Sequence, residues 1–271
     1  MDNFINKLKY EKITLEDSFN YSFDILKTNI NKFILPIILL CCLNTVAAVL
    51  RIFATESNSS FLLLYTMIIS FISSIIYAGL RIELTSFIEN EKQINNPVTS
   101  GKKVIGKILL IVLIYLLISI FIGIVAGVFM VFITLIASAN REIAIFLAVL
   151  AIVIFLALIF YIVIKLAFFQ NVYYVRNLDL ISSLKYSLHI IKGYFMKIFM
   201  TKLIFIFFII ILYLPIVFGN FLAVGSKDIF LIIIGLIIQS IFYLVMSVFI
   251  FLSVFVISLF YLNAEYLDLK K

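Results

Sequence analysis

The sequence predicts an all-α, polytopic membrane protein with six transmembrane helices. Of its 271 residues, 65% are hydrophobic and only 13% are charged. A soluble domain of this length needs a far more polar surface. Several uninterrupted apolar runs exceed the ~20 residues that an α-helix needs to cross a bilayer, and they lack the alternation of a β-barrel strand. We therefore expect residues 1–271 to form a single integral membrane domain.

A repeated stretch precedes the first and the third pair of spans. Residues 14–33 align without a gap on residues 179–198 and share serine, tyrosine and lysine positions. In each copy the apolar residues recur at steps of three and four, which is typical of one face of an α-helix. Thr14, with Asp17 three residues later, and Asp179 are placed to cap these helices. Each copy is predicted to be an amphipathic helix that lies in the membrane interface or, alternatively, packs on protein.

The six spans are arranged as three hairpins of two helices each, which with the repeated stretch indicates an internal duplication or triplication. Pro36 falls in the first turn of the first span, where a missing N–H costs least, and Pro215 predicts a kink in the fifth. Both helices of the second hairpin exceed the thickness of the hydrocarbon core, so they should tilt or emerge from it. The predicted spans are about 33–53, 61–80, 108–137, 143–169, 203–223 and 229–260.

The distribution of basic residues predicts the orientation. Eighteen of the 21 Lys and Arg residues fall in the two terminal segments and in the links 81–107 and 165–202, all on one side of the membrane. The opposite side keeps Arg51, Arg141 and Lys227. Because basic residues accumulate in the cytoplasm, both termini are expected there.

Residues that could carry catalysis or bind a metal are scarce. The single histidine, His189, lies on the second amphipathic helix, and the adjacent Cys41 and Cys42 lie in an apolar run. We find no motif of a hydrolase, nucleotide-binding protein or metalloenzyme. The sequence therefore predicts a protein that is not an enzyme, with no catalytic, metal or cofactor site. The net charge of +7 is attributed to topology rather than to nucleic-acid binding.

Two polar residues are predicted near the middle of the membrane. Asn44 lies within the first span, and Gln239 lies about eleven residues into the sixth. Hydrogen bonds between helices are the simpler interpretation of such groups. A path for a solute is the alternative, since transporters place binding sites near the midplane.

Small residues predict where helices approach each other closely. Gly123 and Gly127 form a G-x-x-x-G pattern in the third span, and Ser70 and Ser74 begin a stripe of small residues in the second. Both patterns favour close helix packing. They leave open whether the contact is within one chain or between two copies.

The repeated S-x-x-Y-S-x-x-x-x-K pattern and the final Y-L-N-A-E-Y-L-D-L carry a resemblance. They resemble the multi-span membrane domain of some bacterial glycerophosphoryl diester phosphodiesterases and related membrane families of Gram-positive bacteria. The resemblance implies a six-span helical domain of the bacterial plasma membrane. It does not imply the phosphodiesterase activity, because the soluble catalytic domain has no counterpart in this sequence.

Two functions follow as expectations. The first is a non-enzymatic membrane protein that acts through contacts with lipid or with a partner protein, in an accessory, immunity or scaffold role. The second is a transport protein, such as a permease subunit or an exporter of a small solute or lipid. Membrane lipids are the expected partners, and a membrane protein, an ATPase or further copies of the chain stay open.

Overall fold

The computed structural model describes residues 2–53, 59–90, 93–139, 141–176, 178–225 and 228–270. These residues form α-helices joined by short links, with a 3₁₀ turn at Ile191–Gly193, and no strand occurs among them. The α-helices of the described chain are α1 (Asp2–Tyr10), α2 (Leu15–Thr28), α3 (Ile30–Phe53), α4 (Ser59–Asn90), α5 (Pro97–Lys102), α6 (Ile105–Ala139), α7 (Arg141–Lys165), α8 (Phe169–Val175), α9 (Leu180–Ile190), α10 (Phe195–Gly225) and α11 (Ile229–Asp268).

Six of these helices, α3, α4, α6, α7, α10 and α11, are long and apolar enough to cross a membrane. The predicted class, an all-α polytopic membrane protein, is therefore confirmed. Four helices differ in length from the predicted spans, and one of them, α7, ends at Lys165 rather than 169. The apolar part of α4 runs over Leu64–Glu89 rather than 61–80, that of α10 begins at Phe195 rather than 203, and α11 continues to Asp268 rather than 260. The predictions for α4 and α10 stopped at Arg81 and Lys202, whereas both helices continue through these charged residues.

Each predicted amphipathic helix ends before the span that follows it. The first copy is α2, which ends at Thr28, and the span helix starts at Ile30. The second copy is α9 with the 3₁₀ turn, and α10 starts after Tyr194. The ranges 14–33 and 179–198 therefore each contain a helix and the first turn of the next one. The breaks, Asn29 and Tyr194, are equivalent positions of the two copies.

The two copies also bury the same positions. Ser18 and Ser22 of α2 are fully buried, and so are their equivalents Ser183 and Ser187 of α9. Three of these hydroxyls donate to carbonyl groups of their own helix. Small side chains that hydrogen-bond to their own backbone leave a helix face on which other helices can pack. Both copies are thus built into the protein core along their serine faces.

The start of α2 confirms the predicted capping box. The Thr14 hydroxyl accepts from the Asp17 backbone N–H at 3.1 Å, and the Asp17 carboxylate accepts from the Thr14 N–H at 2.9 Å. The Lys7 ammonium of α1 donates to the same carboxylate at 2.8 Å. Burial alone would raise the pKa of Asp17, but the hydrogen bonds from Lys7 and Thr14 lower it to about 2.

Because the pKa of Asp17 is lower in the folded chain, its contribution to stability is complete above the ordinary value of 3.8 and is lost as the pH falls to about 2. We expect pepsin to cleave the α1–α2 link increasingly over this interval. Asp17→Asn should be cleaved readily already at pH 4 and change little on further acidification. Asp24→Asn, on the exposed side of α2, is the control and should behave as wild type at each pH. Equal cleavage of all three proteins at pH 4 would contradict the prediction.

The largest buried core lies at the end of the bundle that holds both chain termini, here called the termini end. At ~1.5 Å per residue α11 is about 60 Å long, twice the ~30 Å of a hydrocarbon core. Its first part is partly exposed, whereas nearly every residue from Phe251 to Glu265 is buried. The helices α1, α2, α3, α4 and α9 pack around this segment. This C-terminal segment of α11 is therefore the central helix of the termini end.

The hairpin of α6 and α7 stands at the side of the bundle. The two helices pack on each other, and most of their remaining surface is exposed apolar side chains. They touch the rest of the protein through α4 and α10. An apolar surface of this extent is covered by lipid in a membrane. The hairpin encloses space between itself and the central helices, and this space contains the candidate site.

Candidate functional site

Two polar clusters hold the termini end together, and both involve the final Y-L-N-A-E segment of α11. The first is built on Asn263, which is fully buried. Its amide group donates to the carbonyl oxygens of Leu8 at 2.6 Å and Glu11 at 2.7 Å. Its carbonyl oxygen accepts from the Ile13 N–H at 3.1 Å and from the Tyr194 hydroxyl. One side chain thereby connects the N-terminal segment, the break of the second repeat and the last helix.

The second cluster is built on Arg176, which follows α8. Its guanidinium forms salt bridges with Glu89 of α4 and Glu265 of α11, and its Nε also donates to the Tyr261 hydroxyl at 3.1 Å. Glu265 is almost completely buried, with 5% of its side chain exposed. Burial lowers the pKa of Arg176, but the hydrogen bonds to Glu265 and Glu89 outweigh it and raise the pKa above its ordinary value. This charge cluster fixes the link between α8 and α9 against the core.

The candidate functional site is an open cavity of about 410 Å³ between the α6–α7 hairpin and the central helices. Volumes of this size are typical of pockets for small ligands. Two basic residues contribute to its wall, Arg81 from α4 and Lys202 from α10. The rest of the wall is mainly apolar, with three polar side chains. The other lining residues are Tyr115, Ile118, Ser119, Ile122, Ile159, Ile162, Val163, Leu166, Ala167, Gln170 and Ile257.

The two cations of the cavity lack acidic partners. Within the part of the chain that the structure describes, neither Arg81 nor Lys202 forms a salt bridge. Arg81 donates from Nη1 to the Tyr77 carbonyl oxygen at 3.0 Å, and its Nε is buried without a hydrogen-bond partner. Both side chains are half-buried. A partly desolvated cation without a counter-charge is unfavourable, and the buried Nε without an acceptor adds to this cost. The cavity therefore favours an anion.

A smaller cavity of about 60 Å³ adjoins the first and shares Arg81, Tyr115 and Gln170 with it. We call it the polar annex. Ser74, Tyr77 and Tyr174 add hydroxyl groups to its lining. Gln170 donates from Nε2 to the Tyr115 hydroxyl at 3.1 Å, which ties α8 to α6 at the point where the two cavities meet. The annex is therefore rich in hydrogen-bond donors, whereas the larger cavity is mostly apolar.

The lengths of the helices place the two cations of the cavity toward the termini end of the bundle. Counted from the opposite ends of their helices, Arg81 lies about 33 Å along α4 and Lys202 about 35 Å along α10, at ~1.5 Å per residue. A hydrocarbon core is ~30 Å thick. Both cations thus lie in the half of their spanning segments, Leu64–Glu89 and Phe195–Ala223, that is nearer the termini end. The exposed lining residues of α6 and α7 extend from there along the spanning helices.

The predicted midplane residues do not meet in a common cavity. Asn44 donates from its side chain to the Leu40 carbonyl oxygen of its own helix at 2.8 Å. Gln239 is buried, its Nε2 lacks a hydrogen-bond partner, and it lines a cavity of about 30 Å³ with Asn220 and Tyr243. A space of this size holds about one or two water molecules.

The predicted packing residues also have different surroundings. A Cβ atom at Gly123 or Gly127 would have no neighbour within 4 Å in the described structure, so these glycines make no close contact within the chain. Ser70 is exposed, whereas Ser74 is half-buried and lines the polar annex. A contact of the G-x-x-x-G face with a second copy stays a prediction.

Other glycines form close helix contacts within the described chain, at two places. Gly79 of α4 packs on α5, where an added Cβ would lie 1.7 Å from the Pro97 carbonyl oxygen. Gly219 of α10 and Gly235 of α11 pack on each other, and an added Cβ at either would lie within 2.7 Å of the other's carbonyl oxygen. Neither contact follows a G-x-x-x-G pattern, since the partners lie on different helices. Only the folded chain brings them together.

Sequence reasoning missed Arg81 and Lys202 because each was taken as the boundary of a span. One signal was present: Leu80, Leu84 and Ile88 continue the helical spacing of α4 beyond Arg81, and all three are buried. A helix that continues with this spacing places the intervening charge inside the bundle.

The single histidine does not line the basic cavity. His189 is largely exposed and faces Asp268 at 3.2 Å. Among the described residues, no three His, Cys, Asp or Glu side chains are grouped as metal ligands would be.

Comparison of the chain with protein-family models, curated protein sequences and solved structures found no match. The resemblance given by the repeated motif and the final Y-L-N-A-E-Y-L-D-L therefore stays a prediction.

Proposed function

We propose that this is a non-enzymatic integral membrane protein that binds an anionic amphiphile from the bilayer in the cavity of Arg81 and Lys202. The observation that carries the proposal is the pair of cations without salt bridges in a mostly apolar cavity. Basic pockets between transmembrane helices are a known way to hold anionic headgroups. The apolar wall of α6 and α7 suits an acyl or isoprenoid chain.

We further propose that the membrane is a bacterial plasma membrane and that the termini end faces the cytoplasm. The distribution of Lys and Arg supports this orientation. The cavity would then open at the headgroups of the inner leaflet, which is the leaflet that carries the negative surface potential. An anionic lipid would reach the cations without crossing the hydrocarbon core.

The proposal is tested by native mass spectrometry of the protein purified in mild detergent. Anionic phosphatidylglycerol and zwitterionic phosphatidylcholine with matched acyl chains are added in equal amounts. We expect wild type to bind the anionic lipid preferentially and the double variant Arg81→Gln/Lys202→Gln to lose this preference. A charge-assisted hydrogen bond is worth about 1.5–3 kcal/mol, so the loss should be at least tenfold in affinity.

Lys103→Gln is the matched control, since Lys103 is an exposed cation at the same end of the bundle. It should retain the preference of wild type, because its contact with lipid is only peripheral. The same ratio of anionic to zwitterionic lipid on wild type and the double variant would refute the proposal. Equal losses in the double variant and in Lys103→Gln would show that the binding is a general surface effect.

The alternative function, transport, has weaker support. Its predicted site was the pair Asn44 and Gln239, and these residues do not line one cavity. The space beside Gln239 suits bound water better than a solute. If the protein moves a ligand across the membrane, the basic cavity is the better starting point, and Arg81→Gln/Lys202→Gln should then abolish lipid movement in proteoliposomes, whereas Gln239→Leu should not.

A further inference from the structure

We propose that the headgroup bound in this cavity is a phosphate monoester in its dianionic form, carried on an apolar chain. This inference rests on the proposed function and specifies its ligand. Three features of the cavity support it: the number of its charges, its excess of hydrogen-bond donors and the size of the polar annex.

The charge of the cavity matches a dianion. Arg81 and Lys202 bring two positive charges, and no Asp or Glu is among the described residues that line the cavity or its annex. A phosphate diester carries one negative charge, which would leave one of the two cations uncompensated. A phosphate monoester carries about −1.5 to −2 at neutral pH because its second pKa is about 6. A choline or ethanolamine headgroup would bring a further cation next to two others.

The donors of the site match the acceptors of a monoester. The guanidinium of Arg81 keeps its Nε and most of its other N–H groups free of carboxylates, and Lys202 adds an ammonium group. The hydroxyls of Tyr77 and Tyr174 lie around the annex, whereas the hydroxyl of Ser74 donates to the Ser70 carbonyl oxygen at 2.9 Å. A monoester offers three terminal oxygens, each a strong acceptor. A diester offers two and carries a second substituent.

The volume of the annex favours the smaller headgroup. Arg81 lines both cavities and Lys202 only the larger one, so a phosphate bound by both cations lies where the two cavities meet. The annex itself, at about 60 Å³, accommodates a few water molecules or one tetrahedral oxyanion, but not a glycerol or sugar as well. The single substituent of a monoester would extend into the larger cavity, where its chain meets Ile118, Ile159 and Ile162.

The inference is tested with two water-dispersible probes of the same acyl chain, lysophosphatidic acid as monoester and lysophosphatidylglycerol as diester. Their affinities for the detergent-purified protein are measured by isothermal titration calorimetry. At pH 7.5 we expect the monoester to bind about tenfold more tightly. At pH 5.0, where the monoester has lost its second charge, the ratio should fall to about twofold.

The ratio of the affinities of the two probes at each pH separates the ionisation of the ligand from that of the protein. Arg81, Lys202 and Tyr115 face the larger cavity, with Tyr77 and Tyr174 in the annex, and a change in any of their charges affects both probes. The diester has no ionisation between the two pH values, so it reports on these protein groups alone. Geranylgeranyl phosphate, as a third probe, distinguishes an isoprenoid from an acylglycerol chain, and a preference for either monoester over the diester supports the inference.

The variants separate this inference from the proposed function. Lys202→Gln should reduce the monoester preference to about twofold, whereas Lys202→Arg should retain it because the charge is kept. Lys103→Gln should match wild type. If wild type binds monoester and diester equally, the monoester inference is wrong and the proposed function stands. If wild type binds neither probe, both are wrong.

Discussion

Arg176→Gln is expected to destabilise this protein more than the loss of any other single cation. The substitution leaves Glu89 and the almost completely buried Glu265 without their partner. Removing one member of a buried salt bridge typically costs about 3–5 kcal/mol, because the remaining charge stays desolvated. For a chain of this size we expect the midpoint of thermal unfolding to fall by on the order of 10 °C. Loss of the monodisperse peak in size-exclusion chromatography after heating measures it.

The control is Lys103→Gln, which removes the same charge from an exposed position and should leave the midpoint unchanged within about 1 °C, since exposed charges contribute little. A double variant tests the mechanism. Glu265→Gln added to Arg176→Gln should recover part of the lost stability, because it removes the uncompensated carboxylate. If the second substitution lowers the stability further by its full individual effect, the cost does not come from an unpaired charge.

Gly79→Ala is expected to displace α5 from α4, although it adds only one methyl group. The new Cβ would lie 1.7 Å from the Pro97 carbonyl oxygen and 2.9 Å from the Gly101 nitrogen. Both are backbone atoms, which cannot rotate away as a side chain can. Overpacking in a dense interior usually costs about 1–3 kcal/mol, and we expect the upper end here or more because whole helices must separate. Hydrogen exchange of the α5 backbone and the thermal midpoint measure the effect.

Gly123→Ala is the matched control for Gly79→Ala. It makes the same change in a helix interior, at a position where an added Cβ meets nothing within 4 Å. The variant should be as stable as wild type or slightly more stable, since Ala is the better helix former. Equal stability of Gly79→Ala and Gly123→Ala would show that α4 and α5 do not pack as described. A strong effect of Gly123→Ala would instead indicate that this face packs against a second copy.

The sequence by itself determined the class of the fold and the start of α2. Apolar runs longer than the bilayer is thick have no soluble alternative, so six spanning helices follow from composition and length. The capping box of Thr14 and Asp17 is equally local, because its partners lie three residues apart. The amphipathic face of the repeated stretch was visible in the sequence, because its apolar residues recur at steps of three and four. The helix breaks at Asn29 and Tyr194 were not visible in the sequence, since the helical spacing of apolar residues continues across both positions.

Only the tertiary structure decided what the charged and small residues do. Arg81 and Lys202 are 121 positions apart in the sequence. They line one cavity only because α4 and α10 both pack on α11, and because α4 also packs on α6 and α10 on α7. In the same way, only the packing of the helices brings Arg176 to Glu89 and Glu265, and Gly79 to Pro97. Composition and periodicity report how each segment meets water or lipid. Contacts between residues on distant segments depend on how the helices pack. The pattern of a single segment does not indicate that packing.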